Sequence, residues 1–392
     1  MQKTVVILGA GPGGIAAARA LRGLLPADDR IVVVDRHDEQ RLGVSLLLIM
    51  RGWREPHEVA IRPSRVLNGF VEFLPAEVLG VDPAARRVET SAGPLGYDAV
   101  LLALGAELVP ETIPGLAHAL ENGVAGHCWA LPAALQLRER LHCFAGGRIL
   151  VVIARLPYKC PPAPYEAALL IRDLVEERGL ATSTEITVVT PEPSPLAVAG
   201  PAVGEQLTRY LASRGVSVRT GEQLVSVDPR HREVTFASGT RELFDLLVVV
   251  PPHRAATVAR DAGLTEGDWV PASLRTMRTN VAGVWAIGDL AAVRVRDTLM
   301  VPKAAVFAQQ QAEIAARDIA RALGYDVPEP EIRAVGRCWF LAGRRSAGVI
   351  EGDFLAEPRP AVTFTEPTAE GYALMEAELA TWLAQDPLTG GA

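Results

Sequence analysis

Thr4-Val5-Val6-Ile7-Leu8-Gly9-Ala10-Gly11-Pro12-Gly13-Gly14-Ile15 decides the fold. A short β-branched run predicts a buried strand, and a Gly-rich turn follows it at once. Ile15 to Leu25 then predicts an Ala/Leu-rich helix, and Arg30-Ile31-Val32-Val33-Val34-Asp35 a second strand with an acidic end. Strand, GxGxxG, helix, strand and acid in that order form the dinucleotide-binding fingerprint. Gly9 permits the tight turn, and Gly11, beside Pro12 and Gly13, lets backbone approach a pyrophosphate. Gly14 lets the helix pack close to the strand. The helix N-terminus offers free N–H groups and a positive dipole end to phosphates. Asp35, with Arg36 beside it, can accept from ribose hydroxyls, and its charge disfavours a 2′-phosphate. FAD or NAD fits this loop better than NADP, and the loop alone does not choose between those two. The same reading takes the apolar N-terminal run as a strand rather than a secretory signal.

The chain repeats itself. Val81-Asp82-Pro83-Ala84-Ala85-Arg86-Arg87-Val88 returns as Val227-Asp228-Pro229-Arg230-His231-Arg232-Glu233-Val234, 146 positions later. Tyr97-Asp98-Ala99-Val100-Leu101 likewise answers to Phe244-Asp245-Leu246-Leu247-Val248. Both stretches predict a β-meander followed by a fully buried strand, hence two related α/β halves of Rossmann type. Carried to the Gly loop, the offset lands on Arg155-Leu156-Pro157-Tyr158-Lys159-Cys160, where every glycine is gone. Ile186 to Thr190 replaces the strand that ended in Asp35, without its acid. Such a half should not hold NAD(H) in the usual way. A cysteine stands in the vacated loop, beside Lys159 and near a helix N-terminus starting about Pro164. Both neighbours favour thiolate.

Composition sets the outer bounds. A length of 392 residues predicts two or three domains, and 49% hydrophobic residues are ample for a core. A net charge of −7 leaves no basic field for nucleic acid or anionic lipid. Four cysteines (Cys128, Cys143, Cys160 and Cys338) without CxxC or a paired His make neither a zinc site nor a disulfide framework. No run is long and apolar enough to predict a transmembrane helix.

Taken together these segments resemble the sulfide:quinone oxidoreductases and the flavoproteins of flavocytochrome c sulfide dehydrogenases, within the two-Rossmann FAD-dependent superfamily. Pro157 to Glu166 is similar to their active-site segment, and Gly336-Arg337-Cys338-Trp339-Phe340 to the one carrying their second redox cysteine. Tyr97 to Gly105 resembles the strand that meets FAD. Val284 to Asp289 resembles the strand and Gly288-Asp289 pair whose carboxylate binds the ribityl chain. Pro302-Lys303-Ala304 resembles the turn beside the flavin pyrimidine. The similarity runs from about residue 3 to residue 355.

The resemblance implies that the first loop holds FAD and that sulfide attacks a Cys160–Cys338 disulfide. A persulfide forms and two electrons pass through FAD to a quinone or, less favoured, a cytochrome. It implies Glu166 as proton acceptor, the alternative being an exposed helix carboxylate, and Lys303 as a positive charge near flavin N1 and O2. Cys128 stands where many quinone reductases carry a third cysteine. Arg41 to Leu47, where the flavocytochrome relatives link FAD covalently, contains no cysteine, so FAD is expected to be noncovalent. Two other functions stay open: an NAD(P)H-dependent disulfide or persulfide reductase, and a non-catalytic electron-transfer flavoprotein.

The expected organisation is an FAD domain from residues 1–110 and 268–325, a second Rossmann-like half at 111–267, and a C-terminal segment at 326–392 that folds Cys338 against Cys160. Ala369 to Ala384 predicts one amphipathic helix. Its acids favour docking on the protein itself or in a homodimer over peripheral contact with a membrane, and the chain is expected in the cytoplasm. His253, just after the last strand of the second half, is either a proton carrier or a backbone-bonded loop residue.

Overall fold

Strand Thr4–Leu8 lies in the middle of a five-stranded parallel sheet, in a computed structural model that describes residues 2–296 and 299–387. Arg30–Asp35 and Glu72–Pro75 extend the sheet on one side, Ala99–Leu102 and Val284–Ala286 on the other. Val5 to Leu8 are wholly buried, as expected of a parallel strand covered on both faces. Each such side chain is worth about 1.5–3 kcal/mol of burial. The covering helices Pro12–Leu24 and Ala305–Ala322 pack against each other. They come so close that a Cβ on Gly13 would stand 3.2 Å from the Ala308 Cβ.

The second parallel sheet runs Val216–Arg219, Thr184–Val189, Gly147–Ile153, Leu246–Val250 and Ala125–Gly126. The fold is α/β with two Rossmann-like halves, the second degenerate. Their common origin shows in small irregularities. Both meanders carry a bulge at matching places, between Val78 and Gly80 and between Leu224 and Ser226. Both turns hold an arginine in left-handed backbone, Arg86 (φ 49°) and Arg232 (φ 52°). Asp98 Oδ2 accepts the Thr4 N–H at 2.8 Å, and Asp245 Oδ2 accepts the Arg148 N–H at 2.7 Å.

Those pairings correct the alignment of the two loops. Val5 pairs with Ala99 as Ile149 pairs with Leu246, so the central strands differ by 144 positions, not the 146 of the meanders. Gly9 to Gly14 therefore answers to Ile153 to Tyr158, which also lacks glycine. Cys160 sits beyond that stretch because the connection has grown: residues 9–11 link strand to helix in the first half, 154–162 in the second.

The C-terminal segment is a three-stranded antiparallel sheet (Val335–Leu341, Ala347–Asp353 and Ala361–Thr368) followed by helix Ala369–Leu383. Thr368 Oγ1 caps that helix by accepting the Gly371 N–H at 2.9 Å. Met375, Leu379 and Trp382 are buried in the main core. Its far end is pinned by Asp386, whose Oδ2 accepts the Arg62 N–H at 2.8 Å. The helix thus docks on its own chain, and no helix of the described residues is long and apolar enough to cross a membrane.

Three parts of the chain meet at one buried ion pair. Arg51, ending helix Gly43–Arg51, donates to Asp173 Oδ2 at 2.7 and 3.1 Å, and Asp173 Oδ1 accepts the Arg344 N–H at 2.7 Å. Both side chains are almost fully buried, and Glu177 also faces Arg51 at 2.5 Å. Removing one partner of such a pair strands the other charge. Asp173→Ala is expected to destabilise the protein by about 3 kcal/mol, the low end of the usual 3–5, because Glu177 remains. Urea unfolding of parent and variant measures this.

Candidate active site

A cavity of about 1710 Å³ joins the first Gly loop to cysteines of the other two parts. Gly9, Gly11, Pro12, Gly13, Asp35, Arg36, Gly105, Gly288, Asp289 and Lys303 line it, and so do Cys128, Cys160, Cys338 and Glu166. Gly14 lies behind the loop.

The glycines divide their labour by geometry. Gly9 has φ +106°, and a Cβ there would sit 2.3 Å from the Ala103 carbonyl oxygen. On Gly14 a Cβ would fall 1.9 Å from the Gly9 oxygen, so the helix can approach the strand only without one. Gly11 meets nothing within 4 Å: its missing side chain is a cradle open to the cavity. Asp35 is more engaged than expected. Its Oδ2 accepts the Ala10 N–H and its Oδ1 the His37 N–H, each at 2.8 Å, which ties the loop to the strand end. A carboxylate has about four lone-pair sites, so capacity for a ribose remains. Arg36 is exposed and pairs with Glu77 at 3.4 Å.

Cys160 lies on the lengthened connection, three residues before helix Ala163–Glu177. Its backbone is left-handed (φ 58°), held by its N–H on the Lys303 carbonyl at 2.8 Å and its carbonyl on the Ala163 N–H at 3.0 Å. Cys338 lies on strand Val335–Leu341, and Cys128 is buried just before helix Leu131–Cys143. All four cysteines are free thiols.

Glu166 is buried, at 2% exposure, rather than displayed on the helix surface. Its Oε1 accepts the Leu341 N–H at 2.8 Å, three residues past Cys338 on the same strand. Burial lifts its carboxyl to about 8, against the opposing pull of that hydrogen bond. Glu166 is also the first charged influence on all three cavity thiols.

The expectation that Lys159 and the helix terminus favour thiolate at Cys160 is corrected here. Burial, then Glu166 and then Cys338, push the Cys160 thiol well above its ordinary range, and only the Ala163 N–H opposes them. Burial and Glu166 likewise push Cys338 up to about 12 and raise Cys128. Desolvation outweighs the helix end because the thiols face a low-dielectric wall.

Lys303 also differs from expectation. Its Nζ donates to the Asp289 carbonyl at 2.7 Å and the Ala291 carbonyl at 2.8 Å, and lies 3.7 Å from the Trp269 ring centroid. Two of the ammonium's three N–H groups are thus engaged by backbone carbonyls, and the Trp269 ring lies against it. Burial pulls it down to about 7, with Asp289 opposing. His253 takes the backbone-bonded form: Nδ1 donates to the Pro251 carbonyl at 2.7 Å, and burial, then Lys159, pull it down to about 3.

Sequence reasoning missed Glu192. By strand pairing Asp35 answers to Thr190, and an acid stands two residues further, between Pro191 and Pro193. Its Oε2 accepts from Tyr165 at 2.6 Å and Thr190 at 3.0 Å, and its Oε1 accepts the Ala197 N–H at 3.1 Å. The acid is present but buried, at 4% exposure, and turned to the protein's own donors rather than to a ribose. A carboxylate just past a strand end was the signal.

This fold and site define a class: oxidoreductases built from two dinucleotide-type halves, with cysteines facing the cofactor groove. The chain belongs to the pyridine nucleotide-disulphide oxidoreductase family, whose sequence profile matches residues 3–312. It is 30% identical to a sulfide-quinone reductase of Aquifex aeolicus over 196 residues, which is 49% of this chain and 44% of that relative. A type II NADH:quinone oxidoreductase of Staphylococcus saprophyticus is 22% identical over 90% of each chain. The solved sulfide:quinone oxidoreductase of Aquifex aeolicus shares the fold, with a TM-score of 0.84 at 22% identity over 99% of this chain and 92% of that one.

Family membership implies FAD, and the residues fit it: the open cradle at Gly11, the helix end behind it, and the Asp35 and Asp289 carboxylates on the cavity wall. Gly11→Ala is expected to keep the parent's thermal stability while weakening FAD binding about tenfold. Gly14→Ala should instead lose about 1–3 kcal/mol of stability through overpacking. Melting curves and flavin titration separate the two.

Glu166→Gln removes the charge shared by the thiols. At pH 9, above the carboxyl's value of about 8, alkylation of Cys160 and Cys338 should quicken, up to about tenfold for each unit by which their values fall. Exposed Cys143 is the internal reference, and at pH 6, with Glu166 neutral, parent and variant should match.

Proposed function

We propose that this protein oxidises sulfide, or a related sulfur donor, at a Cys160–Cys338 disulfide and delivers the electrons to a quinone. The observation that carries this reading is that both cysteines, Glu166 and the Gly9–Gly14 cradle belong to one cavity. Similarity to sulfide-quinone reductase supports the same chemistry.

Hydrosulfide attacks one sulfur of the disulfide: the Cys–Cys S–S bond breaks and a new S–S bond makes a cysteine persulfide. The departing sulfur would be a poor leaving group as a thiolate, because burial raises both thiols. Glu166, with its carboxyl near 8, is mostly protonated at pH 7 and gives its proton to that sulfur. A second hydrosulfide attacks the outer sulfur of the persulfide, releasing HSS⁻ and restoring the other thiol. The dithiol then loses two electrons and two protons, and one proton returns to the Glu166 carboxylate. Glu166 thus acts as donor first and acceptor afterwards. FAD, held noncovalently by the Gly9–Gly14 loop, Asp35 and Asp289, supplies when bound the two-electron sink that restores the disulfide and passes the pair to the quinone.

A second reading, NADH-dependent reduction of a quinone, rests on similarity over 90% of the chain to a type II NADH:quinone oxidoreductase. The glycine-free connection at 154–162 and the engaged Glu192 weigh against it. Anaerobic titration decides: sulfide should bleach the flavin absorbance, and a soluble quinone should restore it. Cys160→Ser and Cys338→Ser should each slow bleaching at least about a hundredfold. Bleaching by NADH instead, indifferent to both substitutions, would select the second reading.

A further inference from the structure

Lys303 stands immediately before the N-cap of helix Ala305–Ala322 and is buried, at 6% exposure. Its side chain and its backbone face different parts of the site. The ammonium bonds the carbonyls of Asp289 and Ala291, closing the turn that presents Asp289 to the cofactor groove, and the Trp269 ring covers its remaining side. The residue's own carbonyl accepts the Cys160 N–H at 2.8 Å across the boundary between the two halves.

We infer that Lys303 is a positioning residue, which locks the cofactor-side turn to the redox loop and so holds Cys160 at the cavity wall. Left-handed backbone at a non-glycine residue is strained and persists only when its surroundings over-determine it. At Cys160 the surroundings include the Ala163 N–H and the Lys303 carbonyl, which bond its own carbonyl and N–H. The Lys303 carbonyl is in turn anchored by the side chain's two hydrogen bonds to the 289–291 turn. Releasing the ammonium would take this donor from both carbonyls, so the 302–304 segment would shift to recover partners. Cys160 would move with it. The role is mechanical rather than electrostatic, since the charge is enclosed by the protein's own carbonyls and ring.

The catalytic consequence rests on the sulfide reading above, but the placement of Cys160 does not, so the two are measured separately. Lys303→Met removes all three donors, and Lys303→Gln keeps two N–H donors without the charge. In dithiothreitol-reduced, desalted holoenzyme, iodoacetamide trapping of Cys160 is quantified against Cys143 by peptide mass spectrometry. Lys303→Met is expected to raise the Cys160 trapping ratio at least about tenfold as the loop loosens, and to lower kcat with sulfide similarly while KM stays within about twofold. Lys303→Gln is expected to restore both to within about threefold of the parent. An unchanged trapping ratio in Lys303→Met overturns the inference. So does a raised ratio in Lys303→Gln, which also decides the matter if Lys303→Met does not fold. A parent that ignores sulfide would defeat the proposed function while leaving the trapping result to stand or fall alone.

Discussion

Two hydrogen bonds from one helix to the C-terminal sheet hold the proposed site together. Glu166 and Asp173, seven residues apart and so on one face of helix Ala163–Glu177, accept the backbone N–H groups of Leu341 and Arg344. The bond to Asp173, an ion-paired acceptor, contributes about 1.5–3 kcal/mol, more than a neutral pair. Together the two bonds fasten the strand of Cys338 to the helix that follows Cys160.

That helix begins where the two halves have diverged most. Both keep the same strand register, the same bulges and the same aspartate on the backbone of the central strand. The first retains a short connection that brings a helix end against an open glycine cradle. The second has lengthened its connection and filled the ribose position with Thr190 and Glu192 bonded to Tyr165. A longer loop without glycine cannot wrap a pyrophosphate closely, but it can carry a side chain across to the first half's groove.

Electrostatics follow from the same enclosure. Burial raises three thiols and one carboxyl together, so the environment favours neutral groups throughout. Chemistry there must proceed with protons in place, which is why a carboxyl near 8 suits the site better than an ionised one. Lys303 follows the same rule: burial pulls it down to about 7, while two carbonyls and an aromatic face make up part of the solvation its charged form loses.

Much of this was legible in the amino-acid order. The Gly9–Gly14 fingerprint, the repeated meanders and the missing second set of glycines are local patterns, and local backbone sterics determine what such patterns can do. Cys160, Cys338 and Glu166 were nameable as a set only through resemblance to relatives. Spacing says nothing about which residues 178 positions apart come to face one cavity. Tertiary structure decided the two-residue change of register between strands and meanders, the burial of Glu166 and the direction in which the thiols titrate. It also decided that the Lys303 ammonium faces carbonyls and an aromatic ring. Each of these depends on how much water is excluded by segments distant in the chain, and desolvation is a property of the packed molecule, not of any stretch of it.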